Sequence, residues 1–386
     1  MGGERQSQYI NSLKIMELFE TGFSAFYWGH LVMWLIAFGF IYLGIAKKYE
    51  PLLLIPIGFG MLLANLPLGG LFDYVDGIPE GLLAKIFTYL IAGEIVPCLI
   101  FLGLGAMTDF GPLIANPKTL LLGAAAQFGV YFVFFVSLFF GFNIQEACSI
   151  GIIGGADGPT AIYLSANLAP HLLGTVAIAA YSYMAMVPLI QPPVIKALTT
   201  KKERAIYMEP QLREVSTIER ILFPVVGAIV IILLVPKSAP LIGMFMFGNL
   251  LLVSGVTDRL AKTAGEAFID ILVILLGISV GASMPAELFL KPQTLFIFFL
   301  GILAFAVSTA GGVLLGKMMN ALSKEPINPM IGAAGVSAVP MSARVVQKLG
   351  QEANPRNFLL MHAMGPNIAG VIGTAIAAGI FLSMVG

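Results

Sequence analysis

The sequence predicts an all-α polytopic membrane protein with about ten transmembrane helices in two inverted repeats, each with a broken or re-entrant helical segment. Three observations lead to this fold class: an apolar composition, a series of membrane-length spans, and a repetition between the two halves of the chain. Of the 386 residues, 58% are hydrophobic and 11% are charged, with a mean hydropathy of +0.92. Soluble domains are roughly one-quarter charged, so this composition indicates a lipid bilayer as the surroundings. The net charge is zero, and no basic bias points to nucleic acid as a partner.

Ten stretches are apolar and long enough to cross about 30 Å of hydrocarbon. They lie near residues 28–46, 51–68, 86–106, 119–141, 171–195, 218–236, 240–256, 267–286, 293–316 and 361–384. An N-terminal segment, 1–27, precedes the first span. Positions 10–24 of that segment have the pattern of an amphipathic helix lying in the membrane interface.

Two further stretches, 145–167 and 326–347, are apolar enough to enter the membrane but are interrupted by glycine and proline. Such interruptions leave backbone hydrogen bonds unmade, which is tolerated at membrane depth only where protein or a water-filled cavity covers the backbone. Each stretch is therefore predicted to be a re-entrant hairpin or a broken helix inside the protein.

The two halves of the chain contain short matching sequences in the same order and at a nearly constant offset. The matches are Leu83-Ala84-Lys85 with Leu260-Ala261-Lys262, Pro117-Lys118-Thr119-Leu120 with Pro292-Gln293-Thr294-Leu295, Glu94 with Asp270, and Gly155-Ala156-Asp157 with Gly335-Val336-Ser337. The first repeat is predicted at 28–196 and the second at 218–386, joined by a linker, 197–217. An odd number of crossings in each half means that the second copy enters the membrane upside down. Transporters built this way bind their ion where the two broken segments meet.

The positive charges predict the orientation. All but five of the 21 Lys and Arg residues fall on the side of the 197–217 linker, if each span crosses once. The five on the opposite side are Arg5, Lys14, Lys85, Lys237 and Lys291. Because positively charged loops stay in the cytoplasm, the linker is predicted to be cytoplasmic and the termini to lie outside.

The segment GIIGGADGPTAIY, which begins at Gly151, places Asp157 between glycine and proline residues at membrane depth. A carboxylate there costs at least about 2.5–3.5 kcal/mol on insertion scales and is rarely kept without a cation, a proton or a counter-charge. A capped or protonated carboxylate in a tight turn is the structural alternative. The cost favours a functional role for Asp157.

The second broken segment, NPMIGAAGVSAVPMSARVV, carries further polar residues. A small hard cation needs several oxygen ligands, including backbone carbonyls that are freed where helices unwind. The predicted ligand set is Asp157, Asn328, Ser337 and, on the tenth span, Asn367. With one carboxylate at the centre, a monovalent ion is expected rather than calcium.

Each of the other polar residues also has a structural explanation. Arg344 could extend its charged end to the cytoplasmic surface, and Asn328 could cap a turn. Ser337 could hydrogen-bond to a helix carbonyl. Tyr183, on the fifth span, and Asn367 could join neighbouring helices.

These motifs resemble a known family. GGADGPTAIY and the spacing Asn-x3-Gly-x4-Ser-x6-Arg, at Asn328, Gly332, Ser337 and Arg344, are similar to the beta subunit of the sodium-pumping biotin-dependent decarboxylases. That group acts on oxaloacetate, methylmalonyl-CoA or glutaconyl-CoA. The likeness covers essentially the whole chain in length, span order and motif order. It implies a carboxybiotin decarboxylase of the translocase class in the inner (plasma) membrane of a bacterium or archaeon.

The resemblance also implies residue roles and partners. Asp157 would be the central ligand of sodium and of a proton, with further sodium ligands at Asn328, Ser337 and Asn367. Tyr183 and Arg344 would be needed for coupling. The implied partners are a biotin carrier that brings carboxybiotin, a carboxyltransferase subunit and a small membrane subunit, in a complex built on a homotrimer.

The mechanism that the resemblance implies is sodium export driven by decarboxylation of carboxybiotin. Arg344 is the natural partner of the carboxybiotin carboxylate, because a guanidinium binds carboxylates bidentately. Loss of CO2 leaves an anionic nitrogen that needs a proton, which Asp157 or a tyrosine-linked water can deliver. Sodium binding then displaces the proton, and alternating access carries sodium outward.

Two other classes fit parts of the pattern. A sodium/proton antiporter or a sodium-coupled carboxylate carrier would use the same inverted repeats and a midplane aspartate. A membrane scaffold without transport would need neither, and the cost of burying Asp157 argues against it.

Overall fold

The structure is a computed structural model that describes residues 21–209 and 213–386. The predicted interfacial segment, 1–27, lies outside the described residues except for 21–27, which form a turn before the first helix. The described chain is almost entirely helical. Its strands are a two-residue antiparallel pair, β1 (Tyr74–Val75) and β2 (Ile78–Pro79).

The helices of the first half run from the first span to the start of the linker. They are α1 (Trp28–Ala46), α2 (Pro51–Ala64), α3 (Leu82–Ile86), α4 (Ile95–Met107), α5 (Gly111–Ala115), α6 (Leu120–Ala126), α7 (Phe128–Phe139), α8 (Ile144–Gly151), α9 (Gly158–Leu168), α10 (Leu173–Ala185) and α11 (Val187–Leu198). A π-helical turn, Phe87–Ile91, follows α3. Short 3-10 turns are found at Pro117–Thr119, Ile152–Gly155 and Pro170–Leu172.

The linker contains one short helix, and the second half follows it. The helices are α12 (Lys201–Arg204), α13 (Thr217–Leu234), α14 (Ala239–Val253), α15 (Asp258–Thr263), α16 (Ile269–Ala282), α17 (Ala286–Phe289), α18 (Pro292–Leu322), α19 (Met341–Ala353) and α20 (Leu360–Val385). A π-helical turn, Ala264–Phe268, lies between α15 and α16. The 3-10 turns are Pro236–Ser238 and Pro329–Gly335.

The helices confirm a polytopic all-α membrane protein. Within the described ranges, seven helical stretches are long and apolar enough to cross a membrane, and two bent pairs raise the number to nine. The pairs bend by 65° between α3 and α4 and by 67° between α10 and α11. The remaining predicted span, 51–68, contains only the 14-residue α2. At 1.5 Å per residue this helix is about 21 Å long, which is too short to cross the core by itself.

Helices of the two halves pack against each other in reciprocal pairs. Helix α2 contacts α16, and α14 contacts α4. The sequence of α14 from Pro240, PLIGMFMFGNLLL, resembles that of α2 from Pro51, PLLLIPIGFGMLL. The backbones approach closely because glycine lies at each contact: a Cβ added at Gly60 would lie 2.0 Å from the Ile278 oxygen, and one at Gly105 would lie 2.0 Å from the Phe245 oxygen. This exchange of partners is what a two-fold relation between the halves would produce. The inverted relation itself, and the boundaries at 28–196 and 218–386, stay predictions.

The linker lies against the second half. The ammonium of Lys317 in α18 is 3.1 Å from the Glu203 carboxylate and donates to the Leu198 carbonyl at 3.0 Å. The Asn328 amide donates to the Arg204 and Ile206 carbonyls, both at 2.9 Å. The second broken segment is therefore attached to the linker at its beginning.

Candidate functional site

Asp157 lies at the interruption of the first broken segment. The 3-10 turn Ile152–Gly155 ends at Ala156, which adopts a left-handed φ of 53°, and α9 begins at Gly158. Asp157 caps this helix: its Oδ1 accepts a hydrogen bond of 3.3 Å from the Thr160 N–H. The residue is only 4% exposed. Glycine permits the break, proline favours the first turn of α9, and the helix N-terminus favours a negative charge.

The second broken segment meets the first at this point. The N–H of Ser337 donates to the Gly155 carbonyl at 3.0 Å, and the Ser337 hydroxyl donates to the same oxygen at 2.6 Å. The two turns that match in sequence, Gly155-Ala156-Asp157 and Gly335-Val336-Ser337, are thus in direct contact. Ser337 uses its hydrogen in this contact and keeps acceptor lone pairs available.

Asn367 in α20 supports the unwound backbone. Its amide nitrogen donates to the carbonyls of Ala334 and Val336, at 2.9 and 2.8 Å. The side chain is fully buried, and its Oδ1 has no hydrogen-bond partner among the described residues. One end of this amide therefore holds the second broken segment, and the other end offers a free oxygen.

Three polar residues that sequence reasoning missed complete this support. Ser308 donates to the Gly154 carbonyl at 2.8 Å, and the Gln127 amide donates to the Gly370 carbonyl at 3.3 Å. Thr374 donates to Gln127 Oε1 at 3.3 Å, and its hydroxyl lies 3.4 Å from that of Ser337. The available signal was an uncharged polar residue within an apolar span, which needs an interhelical partner.

A cavity of about 400 Å³ reaches Asp157. Its polar lining includes Glu50, Thr108, Asp157, Tyr181, Ser337 and Arg344. Thr108 is followed by Asp109, whose carboxylate is 3.5 Å from the guanidinium of Arg220, in the first turn of α13 directly after the linker. The cavity therefore extends from the linker side of the protein to the point where the two broken segments meet.

Tyr181 lies beside Asp157 in the wall of this cavity. Its ring packs on Gly158, where an added Cβ would be 2.7 Å from the tyrosine oxygen. The hydroxyl is buried and, in the part of the chain that the structure describes, has no hydrogen-bond partner. Three buried oxygens without a partner among the described residues thus lie at the start of α9: Asp157 Oδ2 on its N-cap, Thr160 Oγ1 in its first turn and the hydroxyl of Tyr181 packed against it. Such oxygens fit a bound cation or ordered water.

Arg344 lies in the first turn of α19, after the second broken segment, and is exposed to the cavity. Its guanidinium makes no hydrogen bond or ion pair with the described residues. In the wall of the same cavity, burial raises the pKa of the Glu50 carboxyl, and the positive charge of Arg344 acts in the opposite direction. The guanidinium is therefore available to an anionic ligand at the linker end of the cavity.

Three of the six predicted site residues do not line the cavity: Asn328, Tyr183 and Asn367. The Asn328 amide bonds to the linker carbonyls, and its Oδ1 accepts from the Met330 N–H at 3.1 Å, so this side chain caps a 3-10 turn. The hydroxyl of Tyr183 donates to the carbonyl of Phe298 in α18. The structure brings together Asp157, Ser337 and Arg344, with Asn367 directly behind them. Roles for Asn328 and Tyr183 in the site stay predictions.

The fold and the site together define a polytopic helical membrane protein in which two broken segments meet beside a buried carboxylate. A family model described as Na+-transporting oxaloacetate decarboxylase beta subunit matches residues 29–385. The chain belongs to this family.

Curated relatives agree with the family match. The methylmalonyl-CoA decarboxylase subunit beta of Propionigenium modestum is 57% identical over 389 residues, which cover 95% of this chain and 97% of the relative. The glutaconyl-CoA decarboxylase subunit beta of Acidaminococcus fermentans is 57% identical over 367 residues, with 95% and 96% covered. The oxaloacetate decarboxylase beta chain of Klebsiella pneumoniae is 52% identical over 413 residues, with 92% and 95% covered. The resemblance found in the sequence is confirmed, and the chain is a membrane subunit of a decarboxylase.

Proposed function

We propose that this chain decarboxylates carboxybiotin carried on a partner protein and uses the reaction to export sodium by alternating access, with consumption of a proton. One observation carries the proposal. A buried carboxylate, Asp157, and a guanidinium, Arg344, line the same cavity, and among the described residues neither the Asp157 Oδ2 nor the guanidinium has a hydrogen-bond partner. The cavity thus has one place for a cation and one place for a carboxylate.

Arg344 binds the carboxylate of carboxybiotin in this proposal. Two parallel N–H donors match the two carboxylate oxygens, which fixes the orientation of the N-carboxy group. The cavity volume of about 400 Å³ falls within the range that holds small organic ligands. The substrate enters from the linker side, where Arg344 lies.

Decarboxylation then requires a proton. The C–N bond breaks, CO2 leaves, and the electron pair stays on the ureido nitrogen, which takes up a proton to give biotin. Asp157, directly or through a water held by a tyrosine hydroxyl, supplies this proton. Tyr181 is the tyrosine whose hydroxyl lines the cavity. Tyr183 takes part in coupling in this proposal, because its hydroxyl joins α10 to the Phe298 carbonyl in α18.

Sodium replaces the proton at Asp157. The ligand set combines the Asp157 carboxylate with the free Asn367 oxygen, the Ser337 hydroxyl and carbonyls of the broken segments. Because Asn328 is bonded to the linker, its amide must leave Arg204 and Ile206 before it can bind sodium. Binding at the crossing of the two broken segments allows one side of the molecule to close while the other opens.

The remaining parts of the proposal concern the assembly. The relatives are named as beta subunits or chains of decarboxylases. We propose the corresponding partners for this chain: a biotin carrier, a carboxyltransferase subunit and a small membrane subunit, with this chain as a homotrimer. The linker faces the cytoplasm and the termini lie outside, in the inner membrane of a bacterium or archaeon.

Sodium uptake into vesicles tests the proposal. The purified complex, reconstituted with its linker side outward, should accumulate radioactive sodium when the acyl substrate is added. Avidin, which binds biotin, should stop both decarboxylation and uptake. Sodium uptake that follows an imposed pH gradient and ignores avidin would instead indicate a sodium/proton antiporter.

A further inference from the structure

Glu50 lines the same cavity as Arg344 but belongs to a different part of the fold. It lies in the turn between α1 and α2 and adopts a left-handed conformation, with a φ of 35°. Pro51, which begins α2, follows it directly. A left-handed backbone costs a non-glycine residue about 1–2 kcal/mol and persists where the surroundings hold it, often at functional sites. The local strain places a half-buried carboxylate in the cavity wall.

The two residues are attached to different groups of helices. Glu50 precedes α2, which packs on α1 and α16, whereas Arg344 belongs to α19, which packs on α11, α20 and the turn Pro329–Gly335. Glu50 and Arg344 can therefore move relative to each other when the second broken segment moves. Any contact between them would bridge the cavity.

The carboxylate of Glu50 and the guanidinium of Arg344 both lack a partner among the described residues. In the described ranges, neither the carboxylate of Glu50 nor the guanidinium of Arg344 has a hydrogen bond or an ion pair within 4.0 Å. Burial raises the pKa of the Glu50 carboxyl, and the positive charge of Arg344, which lines the same cavity, acts in the opposite direction. A half-buried carboxylate without a partner is costly, so Glu50 favours a state in which it is paired.

We propose that Glu50 is the counter-charge of Arg344, and that the substrate-free protein has a second, closed state in which the two residues come within ion-pair distance and close the cavity until a carboxylate substrate displaces Glu50. The identity of the displacing carboxylate rests on the proposed function. The ion pair does not, because it forms without substrate. Competition of this kind opens the cavity only for a ligand that can replace the carboxylate of Glu50.

A double-mutant cycle on the full-length chain in detergent, without substrate, tests the ion pair. The variants are Glu50→Gln, Arg344→Gln and the double variant, and the readout is the midpoint of thermal unfolding. The double variant should lose clearly less than the sum of the single losses. Glu266→Gln is the matched control, since Glu266 is an exposed carboxylate near α16 that does not line this cavity. The losses in unfolding midpoint caused by Glu266→Gln and Arg344→Gln should be additive. Additive losses for Glu50 and Arg344 would overturn the inference.

The assembled complex tests the competition. Glu50→Gln should lower the half-saturating concentration of carboxylated biotin carrier by about threefold to tenfold, because the substrate no longer displaces an internal carboxylate. Glu266→Gln should leave it unchanged. An unchanged or raised value in Glu50→Gln would refute the displacement. If Arg344→Gln leaves this concentration unchanged, the proposed carboxylate site is wrong, while the unfolding cycle still decides whether the ion pair exists.

Discussion

Replacing Asp157 with asparagine removes the charge at the centre of the site with little change in shape. The asparagine oxygen can still accept from the Thr160 N–H, as Asp157 Oδ1 does at 3.3 Å. The second oxygen becomes an amide nitrogen, at a position that has no hydrogen-bond partner among the described residues. The helix cap is therefore kept. The amide NH2, whose hydrogens carry partial positive charge, replaces an oxygen that could bind a cation.

The expected loss of sodium affinity follows from the burial. At an effective dielectric constant of about 20 and a separation of about 4 Å, a unit charge pair is worth about 4 kcal/mol. Since about 1.4 kcal/mol corresponds to a factor of ten, sodium should bind about a thousandfold more weakly. Decarboxylation that depends on sodium should fall with it.

Sodium titration of the purified protein, by calorimetry or by protection against thermal unfolding, measures this loss. Asp270→Asn is the matched control, because Asp270 lines the same cavity but is exposed. Its loss should be less than about fivefold, as for exposed charge pairs. Sodium affinity within tenfold of the unmodified protein in Asp157→Asn would show that Asp157 is not the central ligand.

Four further results are expected. The half-saturating sodium concentration, measured from about pH 5.5 to pH 9, should rise as the pH falls, because protons and sodium compete for the Asp157 carboxylate; a flat profile would exclude this competition. Arg344→Lys keeps the charge but not the paired donors, so turnover should fall steeply while the sodium affinity stays unchanged. Nearly full turnover would mean that Arg344 only extends its charged end to the membrane surface. Asn328→Ala should destabilise the chain to thermal unfolding by about 1–3 kcal/mol, because the part-buried Arg204 carbonyl loses its donor and the Ile206 carbonyl keeps only the Asn357 amide; weaker sodium binding at unchanged stability would instead make Asn328 an ion ligand. Tyr181→Phe should reduce kcat with little change in KM for the carboxylated carrier, and normal kcat would remove its hydroxyl from the proton path.

The positions of Asp157 and Ser337 could be predicted because their signals are local. A carboxylate in a glycine-rich, proline-containing stretch of an apolar chain indicates a broken helix at membrane depth. The match between Gly155-Ala156-Asp157 and Gly335-Val336-Ser337 predicted that the two interruptions correspond, and the Ser337 contacts with the Gly155 carbonyl join them directly. A helix break and the membrane depth of a segment both depend on residues that are neighbours in the sequence. Both can therefore be predicted from the sequence alone.

Two features needed the tertiary structure: the length of the helix within the predicted span 51–68, and the presence of Glu50 and Arg344 in one cavity. Hydropathy continues beyond Ala64, but the helix ends there, since Asn65 bonds to the carbonyls of Met61 and Met284. Glu50 is far from Arg344 in sequence, and nothing in its own segment indicates that both line one cavity. Contacts of this kind depend on how the helices pack, which hydropathy does not report.

The sequence by itself determined that this is a helical membrane protein with two broken segments and a buried aspartate, because composition, span length and helix breaking are properties of short stretches. Only the tertiary structure decided which polar side chains face the site. Tyr181 and Tyr183 are two residues apart on one helix, so their side chains point about 160° apart around the helix axis. One lines the cavity beside Asp157, and the other bonds to Phe298. The sequence around Asn328 similarly fits either a helix cap or an ion site. In the structure the Asn328 amide donates to two carbonyls of the packed linker, so the residue acts as a cap.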